Sequence, residues 1–276
     1  MTGSTGGPVV VGVGPTPTDL AVVRLAAREA AAHGRDLALL HAFNWEAALA
    51  GPSLVGSRDA AEELIARAAS TANEVEAGVS VSGEIVEGAP VGALVRRSET
   101  AFLVAIGDGG MAGCGRCVPA DAPAVQLAAR AGCPVLVVRP DPPPPGPVLV
   151  GVDGSPGSRA ALDFAFGCAV RRPARVVAVR VVEPGWPDDG DDLLTALVAE
   201  VGRHHPDVPT ECHTVHGAPG TVLVEQSRSA QVVLVGARGD QPGRGMLGEV
   251  SQTLLYHAPA PVIVVRGLVS AAPAGA

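Results

Sequence analysis

The sequence predicts an α/β fold made of two tandem doubly wound domains, each a five-stranded parallel-type sheet with helices on both faces. Three observations lead to this prediction. Short Val-rich segments alternate with Ala-rich segments along the whole chain of 276 residues. A proline-rich stretch, residues 140–147, divides the chain almost in half. Four short motifs of the first half recur in the second half, in the same order and with similar spacing.

The duplicated motifs define the domain organisation. The matching pairs are residues 9–13 with 148–152, 87–90 with 216–219, 102–107 with 232–236, and 133–139 with 260–266. A period this long indicates duplicated domains and not a solenoid. Proline lacks an amide hydrogen and restricts φ, so the stretch between the halves predicts a stiff, extended linker. We therefore assign residues 1–139 and 148–276 to two domains and residues 140–147 to the linker.

The strands and helices follow from local patterns. The composition is 47% hydrophobic but only 3% aromatic, which suits Val-rich parallel strands covered by Ala-rich helices. In the second half we predict strands near residues 148–152, 176–182, 210–215, 232–236 and 261–265. After the first strand, Ser158 is a candidate helix N-cap. An apolar stripe at helical spacing follows it, formed by Leu162, Ala165, Phe166 and Ala169.

Two glycine-containing segments of the second half follow predicted strands. In doubly wound sheets, ligands bind at the carboxyl ends of the strands, at the switch point. Residues 151–155 follow the first strand and residues 236–239 follow the fourth, so both are expected at one edge of the sheet. The second segment continues through a glycine-rich loop into an amphipathic segment, over residues 236–250. This layout predicts an anion-binding loop at a helix N-terminus.

These segments resemble the motifs of the universal stress protein family, in a tandem arrangement. The resemblance covers both halves and is most specific at residues 150–155, 217–219, 235–239, 248–252 and 261–266. It implies the adenine nucleotide alpha hydrolase-like fold and a non-catalytic stress-response protein that binds ATP. ATP-binding members carry a glycine, two residues, a glycine, nine residues, and then a glycine followed by Ser or Thr.

Carried over to the second half, the resemblance implies a set of ligand-binding residues. The loop would hold the triphosphate, and an Asp that ends the first strand would contact the adenosine. The phosphate-side positions are Gly236, Gly239, Gly248 and Val250. The nucleoside-side positions are Val152, Asp153 and Val181. Arg238 lies inside the loop and would add positive charge to the phosphate contacts.

The loop departs from the family pattern at two points. Gly239 and Gly248 are separated by eight residues, one fewer than in the family. Glu249 replaces the Ser or Thr, so that a carboxylate removes a donor and repels phosphate. Two arrangements would still permit ATP binding: Mg²⁺ bridges Glu249 and the phosphates, or Ser251 supplies the hydroxyl after a small register shift.

The first half lacks the corresponding residues. Gly14-Pro15 stands where the second half has Asp153-Gly154, and no Gly-Ser or Gly-Thr stands at the helix entrance near Pro123. We therefore interpret this half as structural, completing an internal pseudo-dimer. Two alternative functions stay open, a ligand-free scaffold for protein association and a weak ATP hydrolase. The sequence has no Gly-x-Ser-x-Gly elbow and no Walker A lysine, so it identifies no catalytic residue.

No metal site is expected from the cysteines and histidines. Cys114 and Cys117 have redox or zinc spacing but no second pair of ligands nearby, so free thiols are favoured. Cys212 and His213 would alternate along a strand towards opposite faces. The acidic residues 188–192 are interpreted as a solvated helix start.

Composition restricts the partners and the compartment. A net charge of −8 without a basic stripe argues against nucleic-acid binding. No apolar run approaches the ~20 residues that span a bilayer, and the N-terminus has no secretion signal. Five cysteines without framework spacing favour reduced thiols. We expect a soluble cytoplasmic protein, and a homodimer through an edge strand such as 261–265 stays open.

Overall fold

In a computed structural model, the described residues are 6–43, 58–109, 122–172, 174–183, 185, 191–238 and 246–266. The first half contains β1 (Val9–Gly12), α1 (Pro17–His33), β2 (Leu37–Phe43), α2 (Arg58–Val75), β3 (Val81–Glu87), α3 (Pro90–Ser98), β4 (Leu103–Gly107), α4 (Pro123–Arg130) and β5 (Val135–Val138). The second half contains β6 (Val148–Gly151), α5 (Pro156–Val170), β7 (Val176–Val182), α6 (Asp191–Gly202), β8 (Thr210–His216), α7 (Pro219–Ser227), β9 (Val232–Gly236), α8 (Glu249–His257) and β10 (Val262–Val265).

All ten strands belong to one sheet, in the order β3-β2-β1-β4-β5-β10-β9-β6-β7-β8. Each half contributes five strands that pair in parallel, which confirms the predicted fold class. The halves join where β5 pairs with β10 in the antiparallel sense, with Ile263 opposite Leu136. The interpretation of strand 261–265 as an edge strand was wrong, because the first half covers that edge. The internal pseudo-dimer is thus one continuous sheet.

Helices cover both faces of the sheet and divide the core into two layers. Helices α1, α2, α5 and α6 pack on one face, and helices α3, α4, α7 and α8 pack on the other. Side chains alternate between the layers along each strand, so Val9 and Val11 enter the first layer and Val10 enters the second. Burial on both faces explains why the strands have near-continuous runs of apolar residues.

The N-cap of helix α5 lies three residues before Ser158, the N-cap predicted from the sequence. Ser155 is the N-cap, and its hydroxyl oxygen accepts from the backbone N–H of Ser158 at 3.2 Å. Pro156 occupies the first helical position, where its missing N–H costs no hydrogen bond. The predicted apolar stripe is confirmed, since its four members are buried: Leu162, Ala165, Phe166 and Ala169.

A buried ion pair reinforces the joint between the halves. Arg139, directly after β5, lies 3.4 Å from the carboxylate of Asp108, and the two side chains are 2% and 1% exposed. The same guanidinium donates to the carbonyl oxygens of Leu254 and Leu255, each at 2.8 Å, at the carboxyl end of α8. Burial lowers the pKa of Arg139, while the nearby Asp108 raises it. A cation of the first half therefore caps a helix of the second half.

The linker, residues 140–147, contains neither helix nor strand. Its carboxyl end is attached to the second half through Gln231, whose side-chain Nε2 donates to the carbonyl oxygen of Gly146 at 2.6 Å. The backbone N–H of Gln231 donates to the carbonyl oxygen of Pro147 at 3.1 Å. The end of the linker is therefore positioned beside the start of β9.

Candidate functional site

A cavity of about 530 Å³ lies at the carboxyl ends of β6, β7 and β9. This is the switch point of the second half, because β6 has β7 on one side and β9 on the other. Pro219 and Leu223 of α7 and the first turn of α8 complete its wall. The cavity therefore lies at the edge where the sequence predicted a ligand.

Nine of the ten positions that the sequence motifs single out line this cavity. They are Val152, Asp153, Val181, Gly236, Arg238, Gly248, Glu249, Val250 and Ser251. The tenth position, Gly239, lies outside the described residues, as does the rest of the loop through residue 245. The fold thus brings the segment after β6, the end of β7 and the start of α8 to one site.

Asp153 closes a turn between β6 and α5. Its Oδ1 accepts hydrogen bonds from the backbone N–H of Ser155 at 2.9 Å and from the Ser155 hydroxyl at 2.5 Å. Between them, Gly154 has a φ of 86°, which residues with a side chain rarely adopt. Because both bonds use the same carboxylate oxygen, Oδ2 of the exposed Asp153 retains its capacity to accept from a ligand.

The end of β9 contacts the start of α5 backbone to backbone. A Cβ atom on Gly236 would lie 2.7 Å from the carbonyl carbon of Gly157 and 2.9 Å from the backbone nitrogen of Ser158. A Cβ atom on Gly157 would lie 2.6 Å from the carbonyl oxygen of Arg238. The two glycines therefore permit an approach that a side chain on either residue would block.

Two hydrogen bonds join the ends of the glycine-rich loop. Arg238 Nε donates to the carbonyl oxygen of Met246 at 2.6 Å. The backbone N–H of Gly248 donates to the carbonyl oxygen of Ala237 at 2.9 Å. The guanidinium of Arg238 is thus positioned at the base of the loop, on the wall of the cavity.

A hydrogen bond from Ser251 joins the first turn of α8 to the end of β9. Its hydroxyl donates to the carbonyl oxygen of Gly236 at 2.7 Å, and the side chain is buried. The hydroxyl proton is therefore used within the protein. The alternative in which Ser251 supplies a hydroxyl to a ligand would require this hydrogen bond to break.

The first turn of α8 presents an uncapped helix start to the cavity. Gly248 is its N-cap and supplies no side-chain hydrogen bond. The first amide groups of a helix have no intrahelical acceptor and carry the positive end of the helix dipole. Glu249, the first helical residue, is exposed, so its carboxylate can remain in water beside that dipole.

Charged side chains on the described part of the wall have a formal sum of −1. Two guanidinium groups, Arg180 and Arg238, face three carboxylates, Asp153, Glu183 and Glu249. Sequence reasoning missed Arg180 and Glu183, although they flank the predicted Val181 at the end of β7.

The weaker candidates that the structure describes do not line the cavity. Cys114 and Cys117 lie outside that part of the chain, as do Asp188 and Asp189. Cys212 and His213 are exposed on β8. In the first half, the residue after the strand-ending glycine is Asp108, whose carboxylate pairs with Arg139 at the joint.

Among the described residues, no helix combines the length and the hydrophobicity that crossing a membrane requires.

Comparison with known proteins agrees with the fold and with the repeat. The model of the universal stress protein family matches residues 7–139 and again residues 146–266. Universal stress protein Rv2005c of Mycobacterium tuberculosis is 34% identical over 285 residues, covering 94% of this chain and 96% of the relative. A solved universal stress protein from Archaeoglobus fulgidus DSM 4304 matches with a TM-score of 0.67 and 18% identity, covering 94% of this chain and 96% of that one. A universal stress protein solved in complex with cAMP matches 50% of this chain and 100% of its own, with a TM-score of 0.41 and 22% identity. This chain belongs to the universal stress protein family and contains two tandem copies of its domain.

Proposed function

We propose that this chain binds ATP together with Mg²⁺ in the cavity of its second half and acts as a non-catalytic regulator of a stress response. The observation that carries the proposal is the cavity of about 530 Å³, whose wall contains nine residues of the implied ligand set. Small-molecule sites commonly enclose several hundred Å³, with an apolar wall and a few polar groups. The cavity fits that description.

The wall offers different chemistry to the two ends of a nucleotide. The valines at the strand ends, such as Val152 and Val181, and Leu223 of α7 provide apolar contact for a purine ring. Oδ2 of Asp153 would accept a hydrogen bond from a ribose hydroxyl. The amide groups at the start of α8 and the guanidinium of Arg238 would contact the phosphates.

The carboxylate of Glu249 is the reason why the proposal includes Mg²⁺. Carboxylate and phosphate oxygens are the ligands that Mg²⁺ prefers. A cation between them would convert a repulsive contact into a bridge and offset the formal charge of −1 on the described wall. We therefore expect that the chain binds the Mg²⁺ complex of ATP more tightly than free ATP.

Equilibrium dialysis of the full chain against ATP tests the ligand. We expect one ATP per chain with Mg²⁺ present, and an affinity at least about tenfold lower when a chelator removes Mg²⁺.

The variant Gly248→Val is designed to block the cavity. A Cβ atom at this position lies 3.6 Å from the carbonyl oxygen of Ala237, an ordinary contact, so the added side chain would obstruct the ligand rather than the fold. Absence of binding near millimolar ATP would exclude the ligand and leave the fold assignment intact.

The carboxylate of Glu249 also favours a second candidate function, a ligand-free scaffold for protein association. The two candidates differ in what Glu249→Ser does. If the native chain binds Mg²⁺–ATP, the variant should reduce the dependence on Mg²⁺ while binding persists. If the chain is a scaffold, the variant would create an affinity for ATP that the native protein lacks. Glu62→Ser is the control, because Glu62 is an exposed helical carboxylate of the first half.

The regulatory part of the proposal requires that ATP is bound but not consumed. Binding would favour one conformation of the chain and shift the population that contacts a partner protein. Chromatography of ATP incubated with the protein should recover the nucleotide intact. Steady phosphate release that Gly248→Val abolishes would instead establish the chain as an ATP hydrolase.

A further inference from the structure

A cluster of three potential metal ligands lies away from the cavity, between the two halves. Glu29 and His33 are one turn apart on α1, and Cys168 lies on α5. One carboxylate oxygen, one imidazole nitrogen and the thiol sulfur all lie within 4.8 Å of one another. The first half supplies two of these groups and the second half supplies the third.

Two atoms of this cluster are buried without a hydrogen-bond partner among the described residues. They are Oε2 of Glu29 and Nε2 of His33, which lie 3.9 Å apart, too far for a hydrogen bond. The side chains of Glu29 and His33 are 3% and 8% exposed, and Cys168 is 1% exposed. Buried polar atoms are normally paired, so these two indicate a missing partner.

We propose that Glu29, His33 and Cys168 bind a zinc ion at the joint between the halves. A carboxylate oxygen, an imidazole nitrogen and a thiolate sulfur are the three ligand types of protein-bound Zn²⁺. In tetrahedral coordination, the oxygen and nitrogen ligands lie about 3.3 Å apart, given metal–ligand distances of about 2.0–2.1 Å. The observed Oε2–Nε2 separation of 3.9 Å is longer than this, so metal binding would draw the two atoms together. The proposal does not depend on nucleotide binding.

The surroundings of the cluster orient its ligands. Oε1 of Glu29 pairs with Arg172 of the second half, which leaves Oε2 for a metal. The imidazole of His33 contacts the rings of Phe102 and Phe164, with centroids 4.7 and 5.9 Å away. These ring contacts fix the position of the imidazole, whose Nε2 is buried beside Glu29.

Zinc binding requires that Cys168 loses its proton. The reaction replaces the S–H bond by an S–Zn bond and releases one proton to solvent, with no change of oxidation state. Because the ligands belong to both halves, the bound ion would link them directly.

Cobalt provides a spectroscopic test in the full chain. The background carries Cys114→Ser, Cys117→Ser and Cys212→Ser, so that only the two buried thiols, Cys133 and Cys168, remain. After treatment with a chelator, Co²⁺ should bind one per chain and produce a thiolate-to-cobalt charge-transfer band, which Zn²⁺ then abolishes. Absence of that band, with the background variant folded by circular dichroism, would overturn the proposal.

Substitutions within the background then identify the ligands. Cys168→Ala should remove the band. Cys133→Ala should keep it, because Cys133 is also buried but lies outside the cluster, where its thiol donates to the carbonyl oxygen of Pro134 at 3.4 Å. His33→Gln should weaken Co²⁺ binding at least about tenfold. A band that persists in Cys168→Ala, or metal binding of the native chain that requires Cys114 and Cys117, would contradict the assignment.

Discussion

Gly236 serves the packing of the second half as well as its cavity. It ends β9 and lines the cavity. It also lies against the backbone of α5, where a Cβ atom would be 2.7 Å from the carbonyl carbon of Gly157. Sequence spacing predicts the loop that follows Gly236. It does not reveal that Gly157, which is remote in the sequence, lies against Gly236.

We expect Gly236→Ala to destabilise the protein by about 1–3 kcal/mol, because the neighbouring atoms belong to the backbone and cannot rotate away. Gly167→Ala is the control. Gly167 lies within α5, and nothing would approach its Cβ atom within 4 Å. That change should stabilise the helix by about 0.5–1 kcal/mol. Urea denaturation measures both, and equal effects of the two variants would refute the packing role.

At the scale of elements, helix α8 connects the cavity to the joint between the halves. Its first turn lines the cavity, and its carboxyl end receives two hydrogen bonds from Arg139 of the first half. Arg139 recurs at the matching position of the repeat as Arg266. The motif was visible in the sequence, but its role as a cap for a helix of the other half was not.

Arg139→Met should cost about 3–5 kcal/mol, because it leaves the carboxylate of Asp108 buried without its cation. Arg97→Met is the matched control: Arg97 pairs with Glu84, and the two side chains are 48% and 47% exposed. Solvent screens that pair, and its loss should cost no more than about 1 kcal/mol. Chemical denaturation measures the free energy of unfolding of both variants. A cost below about 1 kcal/mol for Arg139→Met would show that the buried pair contributes little to stability.

At the scale of the whole molecule, the two halves share one sheet and not merely an interface. The strands at the joint, β5 and β10, are buried along their whole length. Separation of the halves would expose two apolar strands together with their backbone donors and acceptors. The halves are therefore expected to unfold together.

Differential scanning calorimetry should show a single transition for the full chain, with a calorimetric enthalpy equal to the van't Hoff enthalpy. The two halves are similar in length and fold, so independent unfolding would instead yield a van't Hoff enthalpy well below the calorimetric one. Two resolved transitions, or that inequality, would contradict the cooperative sheet.

Much of the fold was predictable from sequence because its signals are local. Val-rich runs placed the strands of the second half within a residue or two of their observed bounds. The N-cap of α5 was placed at Ser158 instead of Ser155, although Pro156 after Ser155 is itself a signal of a helix start. The sequence does not reveal that the hydroxyl of Ser251 donates to the carbonyl oxygen of Gly236, because this contact depends on how α8 packs against β9.

Local sequence patterns predict the duplicated α/β architecture, the positions of the strands and the segments that line the cavity. These follow from periodicity and glycine placement, which act between neighbours in the chain. Three-dimensional packing makes β10 an inner strand, brings Arg139 to the end of α8, and places Glu29, His33 and Cys168 together. Each of these depends on side chains or backbones remote in sequence, whose approach is set by how the two halves pack and not by any local preference.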